Sequence, residues 1–538
     1  MNRSIMKNEY SLAIRSLAHH PPTAEPETNP WYGWQPQPSN EPTLAHRFVA
    51  ICHQYADRTS VQDSRGDRSY HWLYCQANRL AQHLVNHHDF ETGVHVGICL
   101  PNSPEYVVAF FGVQLAGGVA VPLPPYQQGS RRLQQIHMTQ VKLLIEEEKS
   151  SEAWKPTDER LVVRLNATAV PEECQQVRPM GQLAALLFTS GSSGDPKAVM
   201  LSHKNILSNM QSISKVLPLG STDRTLANMP FAHALGNSIM QTHVLNGACL
   251  VFSSDLLFPT ALLHALETQQ CTSLIAVPEV FDFLLRALGT DPLRCSHLRY
   301  MAVAGGRLDP ARAVQLARQI SPADFFLMYG QTEATARLAC LPSDQIEQQS
   351  DTIGQPIPGV EFSIRDPQGN EVKQGEVGTL FARGENIMLG YWNDPQSNRR
   401  ILTNGWLNTG DRAQKNSFGN YKICGRENGL VKIQGYRFHP NEIDSTLRAF
   451  LPDVEFVTVP YQDQGQTRLA LFYRSNGRAL EGMKIRQLCS RELPRHMLPQ
   501  QYEEVNAWPT NSGRKIDRAE LVKRARLVSQ GQSYNRTA

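Results

Sequence analysis

The chain has 538 residues, and at roughly 100–200 residues per domain it has room for more than one domain. Apolar residues make up 41% of it and charged residues 19%, which excludes a disordered or collagen-like chain. With 53 lysines and arginines against 50 acidic residues, the formal net charge is +3. This balance gives no indication of nucleic acid or an anionic membrane as a partner.

Cysteine usage and the N-terminal sequence indicate the cellular compartment of the protein. The 10 cysteines are scattered without a Cys-x-x-Cys pair, which argues against a zinc ribbon or redox pair and favours a reducing compartment. The N-terminus has no uninterrupted apolar segment of the signal-peptide kind. The longest apolar stretch, 106–123, is broken by Gly117 and Gly118 and is too interrupted for a membrane span. We therefore expect a cytoplasmic protein without a membrane span.

Alternating strand and helix patterns begin near residue 44. The preceding segment, 1–43, is predicted to be an irregular arm, because residues 20–42 are rich in proline and polar residues. Residues 94–100 form a predicted strand, 102–115 a helix capped by Ser103, and 118–123 a second strand. This βαβ unit predicts a parallel sheet.

The same alternation recurs further along the chain. A predicted helix begins near Ser202 and another spans 280–288. Ligand-binding loops in such sheets lie at the carboxyl ends of strands. The strands that end in small or polar residues are predicted over 183–188, 273–277, 300–304 and 324–329.

The predicted secondary-structure pattern changes twice in the second half of the chain. After Gly359, short strands and turns predict a β-rich subdomain, and from about Asn428 short strands alternate with basic helices. The predicted fold class is therefore α/β. A large N-terminal domain, 44–427, combines parallel sheets and helices with the β-rich subdomain, and a small α+β domain spans 428–538.

One loop stands out chemically, because it combines glycines and hydroxyls with a closing lysine. Such a loop offers backbone N–H groups and side-chain donors to phosphate with little steric bulk. It is not a Walker A loop, since no Gly-Lys-Ser/Thr ends it. The alternative is a flexible surface linker. The sequence reads Thr189-Ser190-Gly191-Ser192-Ser193-Gly194-Asp195-Pro196-Lys197.

Four further motifs follow this loop in order. They are Tyr329-Gly330-Gln331-Thr332-Glu333, Gly405-Trp406-Leu407-Asn408-Thr409-Gly410-Asp411, Gly425-Arg426 and the segment 509–518 (PTNSGRKIDR). As a set, over about residues 44–525, they resemble the adenylate-forming superfamily. That superfamily comprises acyl-CoA synthetases, adenylation domains of peptide synthetases, and luciferases.

The resemblance implies a two-step reaction. Such enzymes join a carboxylic acid to AMP from ATP, with Mg²⁺ and release of pyrophosphate, and then pass the acyl group to a thiol. The thiol belongs to CoA or to the phosphopantetheine arm of a separate acyl carrier protein. The resemblance places the ATP and acyl sites in 44–427, and it makes 428–538 a mobile lid that swings between the two steps.

Nucleotide contacts follow from the resemblance residue by residue. The loop 189–197 corresponds to the pyrophosphate-gripping loop, and Tyr329 to the aromatic that stacks on adenine. Asp411 corresponds to the carboxylate on the ribose hydroxyls, with Arg426 beside it. The segment lining the adenine and acyl sites corresponds to Gly305, Gly306 and Arg307, and the residues following Tyr329 to Gly330 and Gln331.

The phosphate chemistry is assigned in the same way. Thr332 corresponds to the residue contacting phosphate and Glu333 to the Mg²⁺ ligand, a hard oxygen beside phosphates. Lys515 corresponds to the lysine that reaches the carboxylate and the α-phosphate, with the neighbouring Arg514 as a rival. The alternatives are a solvated loop glutamate and a surface lysine.

Two further residue assignments concern the predicted lid, and the first of them departs from the family pattern. Asn428 stands where relatives usually carry aspartate or lysine at the hinge, and it tolerates unusual backbone angles. The segment from Lys432 to Gly435 corresponds to the loop that enters the active site for thioester formation, where a glycine lets the pantetheine arm pass.

The acid site is indicated by residues 229–236 (MPFAHALG), which resemble a P-x-x-H-x-x-G segment with His233 beside the substrate carboxylate. The alternative is a packed core histidine. Amino-acid-activating relatives carry Phe-Asp where this chain has Ala232 and His233, so nothing there neutralises an ammonium group. This favours a non-amino acid, which is a fatty acid, an aryl acid or a short branched acid. The segments 186–207 and 256–267 most resemble the fatty-acyl branch of the superfamily, so a fatty acid is expected. An aryl or amino acid loaded onto a carrier protein, and an inactive scaffold relative, are the alternatives.

Overall fold

The computed structural model describes most of the chain: residues 10–16, 42–86, 90–126, 130–147, 160–165, 182–190, 196–253, 259–426, 431–451, 454–475, 482–509 and 516–530. Two compact units divide it. The first unit comprises 1–188 and 198–425, and the second comprises 189–197 and 426–538.

Helices and strands alternate through much of the described chain. The helices are α1 Leu44–Gln54, α2 Tyr70–Val85, α3 Pro104–Ala116, α4 Ser130–Met138, α5 His203–Val216, α6 Ala234–Val244, α7 Pro259–Thr268, α8 Pro278–Leu288, α9 Pro310–Gln319, α10 Ile346–Gln349, α11 Pro395–Ile401, α12 Pro440–Phe450, α13 Gly482–Glu492 and α14 Arg518–Ser529. Short 3₁₀ helices span Thr332–Ala334, Ser343–Gln345 and Arg495–Met497.

The strands in chain order are β1 Tyr10–Ser16, β2 Thr59–Asp63, β3 Gly66–Ser69, β4 His95–Cys99, β5 Val119–Pro122, β6 Leu143–Glu147, β7 Arg160–Leu165, β8 Leu183–Ser190, β9 Pro196–Ser202, β10 Arg224–Leu226, β11 Cys249–Val251, β12 Ser273–Ala276, β13 Tyr300–Val303, β14 Asp324–Tyr329, β15 Ala339–Leu341, β16 Gln355–Pro356, β17 Val360–Arg365, β18 Gly378–Gly384, β19 Gly390–Tyr391, β20 Leu402–Thr403, β21 Trp406–Lys415, β22 Tyr421–Arg426, β23 Val431–Ile433, β24 Tyr436–Phe438, β25 Glu455–Asp463, β26 Gln466–Arg474 and β27 Gln501–Glu504.

Two large sheets dominate the first unit. One has the order β19-β9-β8-β5-β4-β6-β1-β7, with a parallel centre of β8, β5, β4 and β6. The other has the order β16-β15-β14-β13-β12-β10-β11-β2-β3 and is parallel from β14 to β2. Parallel strands need crossover connections, and the intervening helices supply them.

Helix α3 lies at the centre of the largest core of the first unit. The Ser103 side chain accepts a hydrogen bond from the Tyr106 amide, Pro104 occupies the first turn, and Gly117 ends the helix at φ 84°. Every residue of α3 is buried. The same apolar cluster contains residues of both large sheets, for example Ile98 and Val61. A helix that is apolar on nearly all sides, apart from Glu105 and Gln114, fits this position.

The β-rich part of the first unit is the sheet β17-β18-β21-β20, to which β22 adds through β21. In the second unit, β25, β26 and β27 form a three-stranded sheet, and β23 pairs with β24. Helices α12, α13 and α14 supply Leu447, Ile485 and Leu521 to its apolar clusters.

These observations confirm the predicted α/β class, its first βαβ unit and its β-rich subdomain. One difference concerns the segment predicted as an irregular arm, because Tyr10–Ser16 forms a strand there, antiparallel to both β6 and β7. The alternation of larger and smaller residues in YSLAIRS is the period-2 signal that indicates it. Among the described residues, no helix combines the length and apolar character needed to cross a bilayer.

Candidate functional site

A tight loop follows β14 and carries most of the predicted nucleotide residues. A Cβ atom added to Gly330 would lie 1.8 Å from the carbonyl oxygen of Ala336, so the loop closes on itself at a point where only glycine fits. Thr335 and Ala336 occupy the left-handed region, with φ 55° and 91°. Left-handed backbone at two consecutive non-glycine residues is uncommon, and tertiary contacts must hold it.

Two buried asparagines supply those contacts. Asn386 donates to the carbonyls of Ala334 and Arg337, both at 3.1 Å, and its own carbonyl accepts from the Thr335 hydroxyl at 2.6 Å. Asn209 on α5 donates to the Arg337 carbonyl at 2.8 Å. These buried hydrogen bonds restrict the loop to one arrangement, because breaking them would leave buried polar groups without partners. The loop is therefore a rigid platform.

The aromatic at the end of β14 meets a carboxylate from the β-rich sheet. The Tyr329 hydroxyl donates to Oδ2 of Asp411 at 2.5 Å, and Asp411 is 3% exposed. The Tyr329 ring also packs edge-to-face on Phe362, with centroids 6.5 Å apart. The structure thus brings together the two residues predicted to hold the adenine and the ribose.

Glu333 offers an unpaired buried oxygen. Its Oε1 accepts from the Tyr391 hydroxyl at 2.8 Å, whereas Oε2 is buried and has no hydrogen-bond partner among the described residues. A buried carboxylate oxygen without a partner is costly unless a cation completes it. No group of three or more His, Cys, Asp or Glu that could hold a metal occurs within the described ranges. One carboxylate plus substrate phosphates is the ligand set typical of Mg²⁺, so Glu333 fits this ion.

His233 stands at the N-terminus of α6, where it makes no capping bond with its side chain. Its Nε2 lies 2.6 Å from the hydroxyl of Tyr126, which is 50% exposed. Burial lowers the pKa of the His233 imidazole to about 4. The ring is therefore neutral near pH 7, and the hydroxyl beside it belongs to Tyr126, in the loop after β5.

The turn that presents His233 is fixed by glycine and asparagine. A Cβ atom on Gly236 would lie 2.2 Å from the carbonyl oxygen of Pro230. Asn102 donates to the Met229 carbonyl at 2.7 Å and accepts from the Phe231 amide at 2.8 Å. These contacts give the predicted P-x-x-H-x-x-G segment a steric reason for its last glycine.

The segment after β13 also depends on glycine. Gly305 has φ 89°, and a Cβ atom on Gly306 would lie 2.9 Å from Cγ of Pro278. Arg307 is exposed. The backbone at Gly306 and the ring of Pro278 thus pack too closely for a larger residue at position 306.

The remaining predicted residues have the following positions. Thr189 and Ser190 end β8, and Lys197 lies in β9. Gln331 is buried, and Thr332 begins the 3₁₀ helix. Backbone atoms of Arg426 end β22, while Lys432 lies in β23 and Gly435 in the turn after it. Residues outside the described ranges are Gly191, Ser192, Ser193, Gly194, Asn428 and Lys515.

Three residues near these groups were not predicted. Tyr391 bonds Glu333, Tyr126 bonds His233, and Asn386 holds the nucleotide loop. Tyr126 had a usable signal, because it follows a predicted strand of the parallel sheet at its carboxyl end. Tyr391 lies 58 residues from its partner and Asn386 lies 49 to 52 residues from its partners, and no local pattern indicates such pairings.

Known proteins resemble the chain along most of its length. An acyl-CoA ligase, sidI, from Aspergillus fumigatus is 32% identical over 330 residues, which are 59% of this chain and 56% of that protein. A long-chain-fatty-acid–CoA ligase from Salmonella typhimurium is 26% identical over 542 residues, covering 91% of this chain and 96% of the relative.

Other relatives are much longer than this chain. Tyrocidine synthase 2 from Brevibacillus parabrevis is 26% identical over 92% of this chain, but the match spans only 14% of that synthase. Among solved structures, the amide bond synthetase McbA from Marinactinospora thermotolerans superposes with a TM-score of 0.79 at 23% identity, covering 89% of this chain and 99% of McbA. This likeness supports the fold.

The family comparison agrees with the loop geometry. Residues 48–392 match the family described as AMP-binding enzyme, a span that contains the loop after β14, Glu333 and His233. The chain belongs to the AMP-binding enzyme family.

Proposed function

We propose that the chain activates a carboxylic acid with ATP, forming an acyl adenylate and releasing pyrophosphate, and then transfers the acyl group to a thiol. The observation that carries this proposal is the pairing of Tyr329 with Asp411, together with the buried Oε2 of Glu333, which has no hydrogen-bond partner among the described residues. An aromatic face and a cation ligand lie at one rigid loop, and a diol acceptor from β21 is hydrogen-bonded to the aromatic hydroxyl. This combination suits a nucleoside phosphate. The ligase names of two relatives agree with it.

Catalysis in this proposal is electrostatic. The carboxylate of the substrate is itself the nucleophile at the α-phosphorus, so the chain needs no activated serine or cysteine. Thr332 and the loop 189–197 bind phosphate oxygens, and Lys515 from the proposed lid, 428–538, places its charge where negative charge develops. Mg²⁺, held by Glu333, would neutralise the phosphates and orient the pyrophosphate for departure.

A fatty acid is the proposed substrate. Ala232 is apolar and His233 is neutral near pH 7, since burial lowers its pKa to about 4. Neither side chain pairs with an ammonium group, which would cost free energy if buried alone. The Salmonella relative is named for long-chain fatty acids and matches 91% of this chain.

The acceptor is proposed to be CoA or a separate carrier protein carrying phosphopantetheine, in the cytoplasm. Lys432 and Gly435 are the proposed entrance for the thiol arm, with Arg426 and Asn428 at the hinge. A second candidate, loading of an aryl or amino acid onto a carrier, is favoured by 26% identity to tyrocidine synthase 2 over 92% of the chain.

Acid-dependent exchange of labelled pyrophosphate into ATP tests the first step. Full chain is assayed with dodecanoate, benzoate and a panel of amino acids. Exchange with dodecanoate supports the proposal, and exchange with benzoate or amino acids but not with dodecanoate supports the second candidate. Exchange lost in Lys515→Ala but retained in Arg514→Ala assigns the catalytic charge to Lys515. If no acid supports exchange, the proposal is wrong.

A further inference from the structure

A short hairpin in the second unit carries the proposed thiol entrance. Strands β23 and β24 are joined by Gln434 and Gly435, with φ 52° and 81°. Two consecutive left-handed residues make a type I′ hairpin turn, whose twist matches that of its strands. Gly435 therefore lies on a well-defined turn and Lys432 on the strand that leads into it, and the direction of this turn depends on what holds the two strands.

The base of the hairpin is fixed to the core. Val431 is 7% exposed and Phe438 is fully buried, and both belong to the apolar cluster that contains Leu471 and Met497. Two three-residue strands bury too little surface to be stable alone. The half of the hairpin next to the turn therefore depends on contacts with other segments, and Ile433 in that half packs against the same cluster.

His496 provides a contact at that half. Its imidazole stacks on the Tyr436 ring, with centroids 3.8 Å apart and an interplanar angle of 7°. The same imidazole lies 5.9 Å from the Phe438 ring. Tyr436 and Phe438 are two positions apart on β24, so their side chains share one face. His496 covers that face from the buried base towards the turn.

The backbone of His496 is itself anchored. It is the central residue of the 3₁₀ helix Arg495–Met497, and the Met497 amide donates to the Pro494 carbonyl at 2.9 Å. Met497 is 2% exposed and belongs to the same core cluster as Phe438. The stack thus joins a residue fixed on the core to the residue that directly follows Gly435.

We propose that His496 is a positioning residue for the thiol-transfer step. It acts through Tyr436, holding the turn at Gly435 in the direction that admits the pantetheine arm. This inference rests on the proposed function, which gives that turn to the second step. Because stacked rings attract beyond their burial, loss of the imidazole should free the turn without unfolding the strands.

The two steps are measured separately on the full chain. Pyrophosphate exchange reports adenylation, and formation of acyl-CoA from CoA, with dodecanoate or whichever acid supports exchange, reports transfer. His496→Ala should leave exchange unchanged and slow transfer roughly 2- to 10-fold, the rate equivalent of one aromatic contact. His496→Phe keeps a stacking ring and should restore transfer.

Arg468→Ala is the matched control, because Arg468 forms a partly exposed ion pair with Asp463 in the same unit, 3.0 Å long. It should change neither step. Equal losses of exchange and transfer in His496→Ala, or no loss of transfer, would overturn the positioning role. Tyr436→Ala should reproduce the selective loss. Absence of exchange in the unmodified chain would instead overturn the proposed function and this inference with it.

Discussion

The hydroxyl of Tyr329 donates a 2.5 Å hydrogen bond to Oδ2 of Asp411, joining the end of a parallel strand to the β-rich sheet. The bond sets the plane of the ring relative to the carboxylate before any nucleotide binds. In the proposed function, a nucleoside that stacks on Tyr329 has its sugar hydroxyls next to Asp411. The proposal therefore couples base and sugar recognition through this one hydrogen bond.

Removing this hydroxyl should weaken nucleotide binding while the ring remains. In Tyr329→Phe we expect KM for ATP to rise roughly 10-fold, the value of a hydrogen bond to a charged group, with little change in KM for the acid. Initial rates of exchange at varied ATP and acid measure both. Tyr421→Phe is the control, because Tyr421 also packs edge-to-face on Phe362, at 5.1 Å. Equal changes in the two variants would contradict the coupling.

The bond between Tyr391 and Glu333 should tune cation affinity. Without the hydroxyl, Oε1 loses its donor at 2.8 Å and the carboxylate can rotate. Partners of metal ligands are typically worth 10–100-fold in affinity, so Tyr391→Phe should need roughly 10-fold more Mg²⁺ for half-maximal exchange. Glu333→Gln should need more still. A magnesium titration of exchange measures both, and an unchanged midpoint in Glu333→Gln would remove Glu333 from the cation site.

Tyr126 should keep His233 neutral. Burial lowers the pKa of His233 to about 4, so the ring does not titrate between pH 5 and 8. In Tyr126→Ala, water reaches the imidazole and its pKa should rise toward the ordinary 6.5. The pH profile of kcat/KM for the acid should then gain an inflection between 5 and 7. Tyr126→Phe keeps a ring over the imidazole and should show the original profile. An unchanged profile in Tyr126→Ala would contradict the role of Tyr126 in keeping His233 neutral.

Asp444 should make the chain less stable as pH rises. Burial raises the pKa of this carboxyl from 3.8 to about 7, against hydrogen bonds from Thr458 and the charge of Arg518. Between these values the folded state binds a proton that the unfolded state releases. Stability therefore falls with increasing pH over this range, by up to about 1.4 kcal/mol per unit.

Asp444→Asn removes the titration and still accepts at Oδ1, which receives the Thr458 amide at 2.8 Å. The melting temperature of this variant relative to the unmodified chain should increase from pH 5 to pH 8. Parallel melting curves across that range would refute a buried, titrating carboxyl at this position.

Local sequence signals predicted much of the architecture. Ser103 followed by Pro104 marks a helix start, and the observed helix begins at Pro104 with Ser103 as its cap. Strand 324–329 has the predicted bounds. These features depend on neighbours a few residues apart, so capping and periodicity suffice to find them.

The connections of the site could not be predicted in this way. Asp411 meets Tyr329 across 82 positions, and Glu333 meets Tyr391 across 58. Such pairs arise from the packing of separate sheets, which no window of residues contains. The resemblance to a family named Asp411 and Glu333 but not the tyrosine that supports Glu333, because a family motif records groups that touch substrate.

The close approach of Gly236 to Pro230 has a consequence for the redesign of the proposed acid site. The turn 230–236 takes its shape from backbone atoms and from Asn102, so randomising either end would distort the whole turn and lower the yield of folded variants. Ala232 and Leu235 lie between those fixed points. A combinatorial library restricted to these two positions would vary side chains on a constant backbone.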